Sequence, residues 1–250
     1  ASIFGVLKQY SDKIFIGIFW TEYQVGLYFG VQRIALFIGT MALAIEGMLL
    51  PAISNLHANK KENEIRTLVH DAERYVALIC IPLVAMTIVW SSEIILVFLS
   101  KEFLPASNIL KILALVALVR VLNRPWSVAL RGSDRPDLTS ILSILSSILS
   151  IILMLILVPK RIPQLGLENL FGLGGEGAAY AVLISEITVG LSLRILSYKY
   201  LEILPKSNFF VQMIVATMVG IVMWQVQETI AVDRWFELFF MSGLGGLLFL

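Results

Sequence analysis

Two arginines one helical turn apart, Arg120 and Arg124, stand in the middle of an apolar run from about residue 108 to 130. Positions i and i+4 project from one face of a helix. Like charges at that spacing repel, and each costs about 2.5–3.5 kcal/mol at mid-membrane on insertion scales. Facing lipid, the pair would cost on the order of 5–7 kcal/mol. The two side chains must therefore meet water, an anion or a carboxylate partner. Planar guanidinium forks match phosphate oxygens, so the chemistry this pair offers is the holding of an anionic substrate. Arg33 is a third cation of this kind, in the run from about 25 to 50. Asn123 and Pro125 point to a locally opened helix, which often lines a cavity.

Acidic groups stand in the same runs. Asp12 and Lys13 lie within or at the edge of the first, Glu46 follows Arg33 in the second, and Glu186 is alone near the middle of a later one. Arg33 and Glu46 point roughly 220° apart on a helix, so they do not share a face. Ion pairs between helices, such as Glu186 or Asp12 against an arginine, are the competing account of these charges. For Glu46 and Glu186 taken alone, pairing or packing is the expectation.

Other chemistries find few residues. Cys80 is the single cysteine, and His57 and His70 are the only histidines. No intrachain disulfide and no Cys/His set for a metal can be built from them, and no cofactor is expected. The net charge of +1 leaves no basic excess for nucleic acid. No carboxylate pair or nucleophile–base set is visible. Gly172-Leu-Gly-Gly-Glu-Gly177 matches the dinucleotide fingerprint by letter, but that fingerprint needs a preceding strand within a βαβ unit. Turn glycines before a helix are the expected reading.

The elements that position these residues follow from composition. The chain is 58% hydrophobic and 15% charged, with a mean hydropathy of +0.86. Soluble domains average about 45–50% apolar and about 25% charged, so the expected solvent is a bilayer. A spanning helix needs about 20 mostly apolar residues. Eight such spans are predicted, at roughly 1–20, 25–50, 75–99, 108–130, 138–158, 178–198, 208–226 and from about 235 onward. The fold class is all-α, a polytopic helix bundle. Leu138–Val158 is too long and too uniformly apolar for the alternating strands of a barrel.

Pro51 is expected to close the second span. Ile65, Leu68, Val69 and Ala72 recur at helical spacing, which predicts an amphipathic helix near 60–73, interfacial or solvated, leading into the third span. The serines at 140, 143, 147 and 150 form a stripe that reads as close helix packing. Lys60, Lys61, Arg66, Arg131, Arg135, Lys199 and Lys206 outnumber Lys101, Lys160, Arg161 and Arg234 across alternate loops. The first set is expected on the cytoplasmic side. The chain starts without an initiator Met and stops inside an apolar run, so it is expected to be a fragment of a longer protein.

Four stretches carry a resemblance to a known family. They are Ser11-Asp12-Lys13-Ile14 with Val25-Gly26-Leu27-Tyr28; Leu50-Pro51-Ala52-Ile53-Ser54; Arg74-Tyr75 with Pro82, then Ile94–Phe98 and Phe103-Leu-Pro-Ala-Ser107; and Val158-Pro159 with Gly175-Glu-Gly-Ala-Ala179. In this order the chain resembles the polysaccharide flippases of the multidrug/oligosaccharidyl-lipid/polysaccharide exporter superfamily. Members of that family are similar in having about fourteen helices, in two lobes of six plus a terminal pair. The resemblance implies that residues 1–250 form a single transmembrane domain matching helices seven to fourteen, the second lobe, with the N-terminal lobe missing. It further implies a multi-pass protein of the cytoplasmic (inner) membrane. The implied activity moves a polyprenyl-pyrophosphate-linked oligosaccharide between leaflets by alternating access, for polysaccharide biosynthesis. Substrate binding would then fall to Arg33, Arg120 and Arg124. Coupling to H⁺ or Na⁺ would be open to an acidic group such as Asp12 or Glu186. The role is that of a transporter, not an enzyme. The alternatives are a membrane-embedded glycosyltransferase or ligase acting on lipid-linked sugars, an exporter of the same superfamily with another cargo, and a purely structural membrane subunit.

Overall fold

The structure is a computed structural model that describes residues 3–162 and 167–203. It is a helical bundle. In chain order the helices are α1 (Ile3–Phe19), α2 (Glu22–Ala58), α3 (Glu62–Val89), α4 (Ser91–Phe98), a 3₁₀ turn (Lys101–Ala106), α5 (Ser107–Gly132), α6 (Pro136–Leu157) and α7 (Gly174–Leu201). Among the described residues, four helical stretches are long and apolar enough to cross a membrane: Glu62–Val89, Lys101–Gly132, Pro136–Leu157 and Gly174–Leu201. The chain is a multi-pass membrane protein. The spans predicted at 208–226 and beyond 235 lie outside the described residues.

Local chemistry sets the helix ends. Thr21 precedes α2 and its hydroxyl accepts from the Gln24 amide at 3.4 Å, as an N-cap does. At 37 residues, α2 is about 55 Å long at 1.5 Å per residue. It continues through Pro51, where the sequence predicts its end. A mid-helix proline removes one backbone bond, but Leu49 and Ile53 on either side are buried against Trp126, Val128 and Leu130. That packing carries the helix onward. Three non-glycine residues take the left-handed conformation where helices end: Lys60 after α2, Asp134 after α5 and Glu202 after α7. Pro136 then opens α6, where its missing N–H costs nothing.

The amphipathic segment predicted near 60–73 to lead into the third span is the start of the continuous helix α3. Its apolar positions Ile65, Val69 and Ala72 are buried within the protein, beside Leu49, Ile53 and Leu201. The third predicted span divides at Trp90 into α3 and the short α4.

Helix α5 is the hub, packing against α2, α3 and α7 and more lightly against α6. Most of its residues are buried. Its first half joins Tyr28, Val31 and Met154, and its last turns join Leu49, Ile53 and Leu193. Between those apolar layers lie Arg120, Asn123 and Arg124. The helix runs without interruption through Asn123 and Pro125, so the local opening predicted there is not observed.

The loop from α6 to α7 holds a two-residue antiparallel hairpin, pairing Arg161 with Glu168 and Ile162 with Leu167. An antiparallel hairpin is not the βαβ unit that a dinucleotide fingerprint requires. The glycines serve the turn instead. Gly172 and Gly174 have positive φ, and a Cβ on Gly177 would lie 2.6 Å from the Leu157 carbonyl oxygen. Trp20 seals the same end of the bundle, its indole N–H donating to the Val158 carbonyl at 2.8 Å.

Candidate functional site: an arginine wall between two clefts

Each arginine of the pair has a carboxylate partner, on a different helix. Arg120 Nε donates to Glu186 of α7 at 3.0 Å, and Arg124 Nη1 donates to Glu46 of α2 at 2.9 Å. Glu46 also accepts from Arg131, one helical stretch further along α5, at 2.5 Å. Interhelical pairing is thus the geometry observed for Glu46 and Glu186, as expected for both. It does not exhaust the arginines. The carboxylate side chains are 9% and 18% exposed, whereas Arg120 and Arg124 are 38% and 43% exposed. A guanidinium has five N–H donors. One is spent in each of these bonds, and the remainder of each fork stays open to a ligand.

Asn123 ties the pair to α7 from between them. Its side-chain amide donates to the Glu186 carbonyl at 3.0 Å, and its oxygen accepts from Arg194 at 3.1 Å. Arg194 also donates to Glu73 of α3 at 2.7 Å and to the Gly190 carbonyl at 3.1 Å, and it stacks over Trp126 at 5.2 Å. The approach is close. A Cβ on Gly190 would lie 2.5 Å from the Asn123 oxygen. The result is a polar layer spanning α2, α3, α5 and α7 in which Asn123 and Glu186 are buried and Arg120 and Arg124 are the most exposed members.

The arginines form a wall with a cleft on either side. One cavity, of about 430 Å³, lies between α1, α2, α5 and α7, with Asp12, Lys13, Gln32 and Thr40 among mainly aliphatic walls such as Leu36, Leu113 and Val116. The other, of about 400 Å³, lies between α5, α6 and α7, and is lined by Asn123, Ser127, Thr139, Ser143 and Glu186. Arg120 and Arg124 line both.

Of the predicted site residues, the structure brings together Arg120, Arg124, Asp12 and Glu186. Asp12 is 4% exposed, accepts from Gln32 at 2.7 Å and lines the first cavity. Arg33 is placed elsewhere. It is exposed, stacks on Phe29 at 4.5 Å and lines neither cavity. Position 33 lies on a different face of α2 from Gln32, Ala35, Leu36 and Gly39, which do line it. Sequence reasoning missed Gln32, Glu73 and the roles of Arg131 and Arg194. It placed Arg131 in a loop, but the residue lies in the last turn of α5. The signal for Arg194 was its place within an apolar helix, the same signal that marked Arg120.

With this geometry in view, three comparisons agree. The family model described as "Polysaccharide biosynthesis protein" matches residues 1–108. The relative named "Probable low-salt glycan biosynthesis flippase Agl15", from Haloferax volcanii, is 25% identical over 189 residues, covering 76% of this chain and 38% of that protein. The solved structure titled "Lipid II flippase MurJ, inward closed conformation" superposes with a TM-score of 0.79 at 18% identity, covering 99% of this chain and 50% of that one. Over part of its length the chain is similar to proteins of polysaccharide biosynthesis and to a glycan flippase. It spans about two fifths of the length of Agl15 and half of the MurJ chain. At this identity the MurJ match speaks to the fold, a helical transmembrane bundle, and extends over the region beyond residue 108 that the family model leaves unmatched.

Proposed function

We propose that this chain is one lobe of a flippase that moves a polyprenyl-pyrophosphate-linked oligosaccharide across the cytoplasmic membrane, acting as a transporter rather than an enzyme. The observation that carries the reading is the arginine pair. Arg120 and Arg124 stand in a cleft within an apolar bundle, more exposed than their partner carboxylates and with most of each guanidinium fork unspent. Such a wall suits a doubly anionic pyrophosphate, because forked donors take two oxygens at once. Placing cations in this setting is costly, and a charged substrate supplies a use for them.

Translocation follows from the position of the wall. With a second lobe facing it, the cleft closes around the pyrophosphate, and rocking of the lobes exposes the site to each side in turn. Asp12, buried on the cavity wall beside Gln32, is the acidic group best placed to take a coupling H⁺ or Na⁺. Glu186 is bound to Arg120, so it serves to hold the arginine.

The test is a flipping assay. The full-length protein is reconstituted in liposomes with a labelled polyprenyl-pyrophosphate oligosaccharide, and exposure of inner-leaflet lipid to an added glycosidase is followed. Wild type is expected to accelerate exposure, and Arg120→Gln/Arg124→Gln to insert but not accelerate it. A double variant with full activity would remove the arginines from the site. A wild type equal to empty liposomes over several carriers and ion gradients would overturn the flippase reading.

A further inference from the structure

The two clefts differ in chemistry, and the arginine wall is where they meet. Toward α1 and α2 the walls are mainly aliphatic: Leu36, Leu113, Val116 and Val182. Toward α6 the lining is more mixed: Ser127, Thr139, Ser143 and Asn123 stand among Leu142, Val189 and Leu193. Thr139 spends its hydroxyl on the Pro136 carbonyl at 2.9 Å. Among the described residues, the hydroxyls of Ser127 and Ser143 have no such bond to make and remain available. The serine stripe of α6 divides accordingly. Ser147 and Ser150 are buried in the helix contacts, as small packing residues are, while Ser143 is exposed on the cleft.

We propose that the α5–α6–α7 cleft is a carbohydrate subsite that takes the first sugar next to the pyrophosphate, while the aliphatic cavity across the wall takes the first units of the lipid. This rests on the flippase reading and adds to it a direction for the substrate. An amphipathic ligand with a phosphate junction has three parts of different chemistry, and the clefts present three surfaces in the same order: mainly aliphatic walls, two guanidinium forks, then a cleft where hydroxyl and amide groups stand among aliphatic ones, as a sugar's polar edge and apolar face would need. Sugar hydroxyls both donate and accept, and so do Ser127 and Ser143. A volume of about 400 Å³ is within the common range for ligand sites, roughly 300–1,000 Å³.

The subsite assigns separable effects to residues on either side of the wall. The probes are farnesyl pyrophosphate, which carries no sugar, and farnesyl-pyrophosphate-linked N-acetylglucosamine. Binding of each to the detergent-solubilised full-length protein is measured for wild type, Ser143→Trp, Ser127→Ala/Ser143→Ala and Arg120→Gln/Arg124→Gln. Ser143→Trp fills the cleft and is expected to weaken the sugar-bearing probe about tenfold or more, leaving farnesyl pyrophosphate within about twofold. The double alanine variant, which adds no bulk, is expected to weaken the sugar-bearing probe about fivefold through two lost hydrogen bonds. The arginine variant is expected to weaken both probes. If both serine variants bind the two probes with unchanged preference while the arginine variant loses both, the carbohydrate subsite is overturned and the flippase reading stands. If the arginine variant binds both probes as wild type does, the cationic site itself is wrong.

Discussion

Glu186 holds Arg120 at 3.0 Å across the α5–α7 interface, through Nε. That choice of atom leaves the two terminal nitrogens of the fork for a ligand, and the buried carboxylate fixes where they stand. Replacing Glu186 by Gln is expected to free Arg120 without removing it. Breaking a fully buried pair costs about 3–5 kcal/mol, but Arg120 is 38% exposed, so a loss of about 1–2 kcal/mol is expected here. In flipping assays, Glu186→Gln should retain transport at a reduced rate, whereas Arg120→Gln should abolish most of it. Loss of transport equal to that of Arg120→Gln would make Glu186 itself part of the transport chemistry.

Arg194 and Glu73 form another interhelical pair at 2.7 Å, with side chains 18% and 12% exposed. A double-mutant cycle over Arg194→Gln and Glu73→Gln is expected to give a coupling of about 1–3 kcal/mol. The helix-surface pair Lys61–Glu64, also short at 2.8 Å but 54% and 56% exposed, should give less than about 0.5 kcal/mol in the same assay. Equal couplings would mean that burial does not govern the strength of these pairs.

The sequence alone located the helices because length and hydropathy are local properties. Leu138–Val158 and the run around Arg120 needed no knowledge of their neighbours. Partner choice is not local. Nothing in the chain order joins Arg124 to Glu46, or Arg194 to Glu73, until α5 is packed among α2, α3 and α7. The same applies to ends decided by packing. Pro51 reads as a stop, yet Leu49 before it and Ile53 beyond it are buried and hold α2 helical. Arg33 shows the converse limit. Charge in an apolar run marked it, but only the orientation of α2 shows that it stacks on Phe29 outside the cavities.

Two glycine substitutions should separate close approach from helix propensity. A Cβ at Gly177 meets the Leu157 carbonyl oxygen at 2.6 Å and its carbon at 2.8 Å, while at Gly26 nothing lies within 4 Å. Backbone cannot swing aside as a flexible side chain can. Gly177→Ala is expected to destabilise by about 1–3 kcal/mol, as overpacking does. Gly26→Ala should be neutral or stabilising by up to about 1 kcal/mol, since Ala is the better helix former. Thermal unfolding in detergent reads both, and a Gly177→Ala protein as stable as wild type would contradict the α6–α7 turn described above.

Charge alone is not what the arginine wall supplies under the proposed function. Arg120→Lys/Arg124→Lys keeps both positive charges but replaces planar forks with single ammonium groups. The lysine variant is expected to insert normally and to flip lipid-linked oligosaccharide about tenfold more slowly than wild type, because two-oxygen recognition of the pyrophosphate is lost. Full activity in the lysine variant would reduce the wall to a simple electrostatic field.

Sidedness can be read from two lysines at opposite ends of α2. Lys60 follows its C-terminus. Lys160 lies beside Trp20 at the other end, its ammonium 5.3 Å from the indole ring, and Trp20 in turn bonds Val158. Both are exposed. The native Cys80 is 2% exposed, and replacing it, with any cysteine of the rest of the full-length protein, by Ala gives a background free of thiols. In that background, Lys60→Cys and Lys160→Cys should react with a membrane-impermeant maleimide from opposite sides of the membrane. By the positive-inside rule, the excess of Lys and Arg near Lys60 is expected on the cytoplasmic side, so intact cells should label Lys160→Cys alone. Labelling of Lys60→Cys alone would invert the orientation and, with it, the direction from which the arginine wall is first loaded.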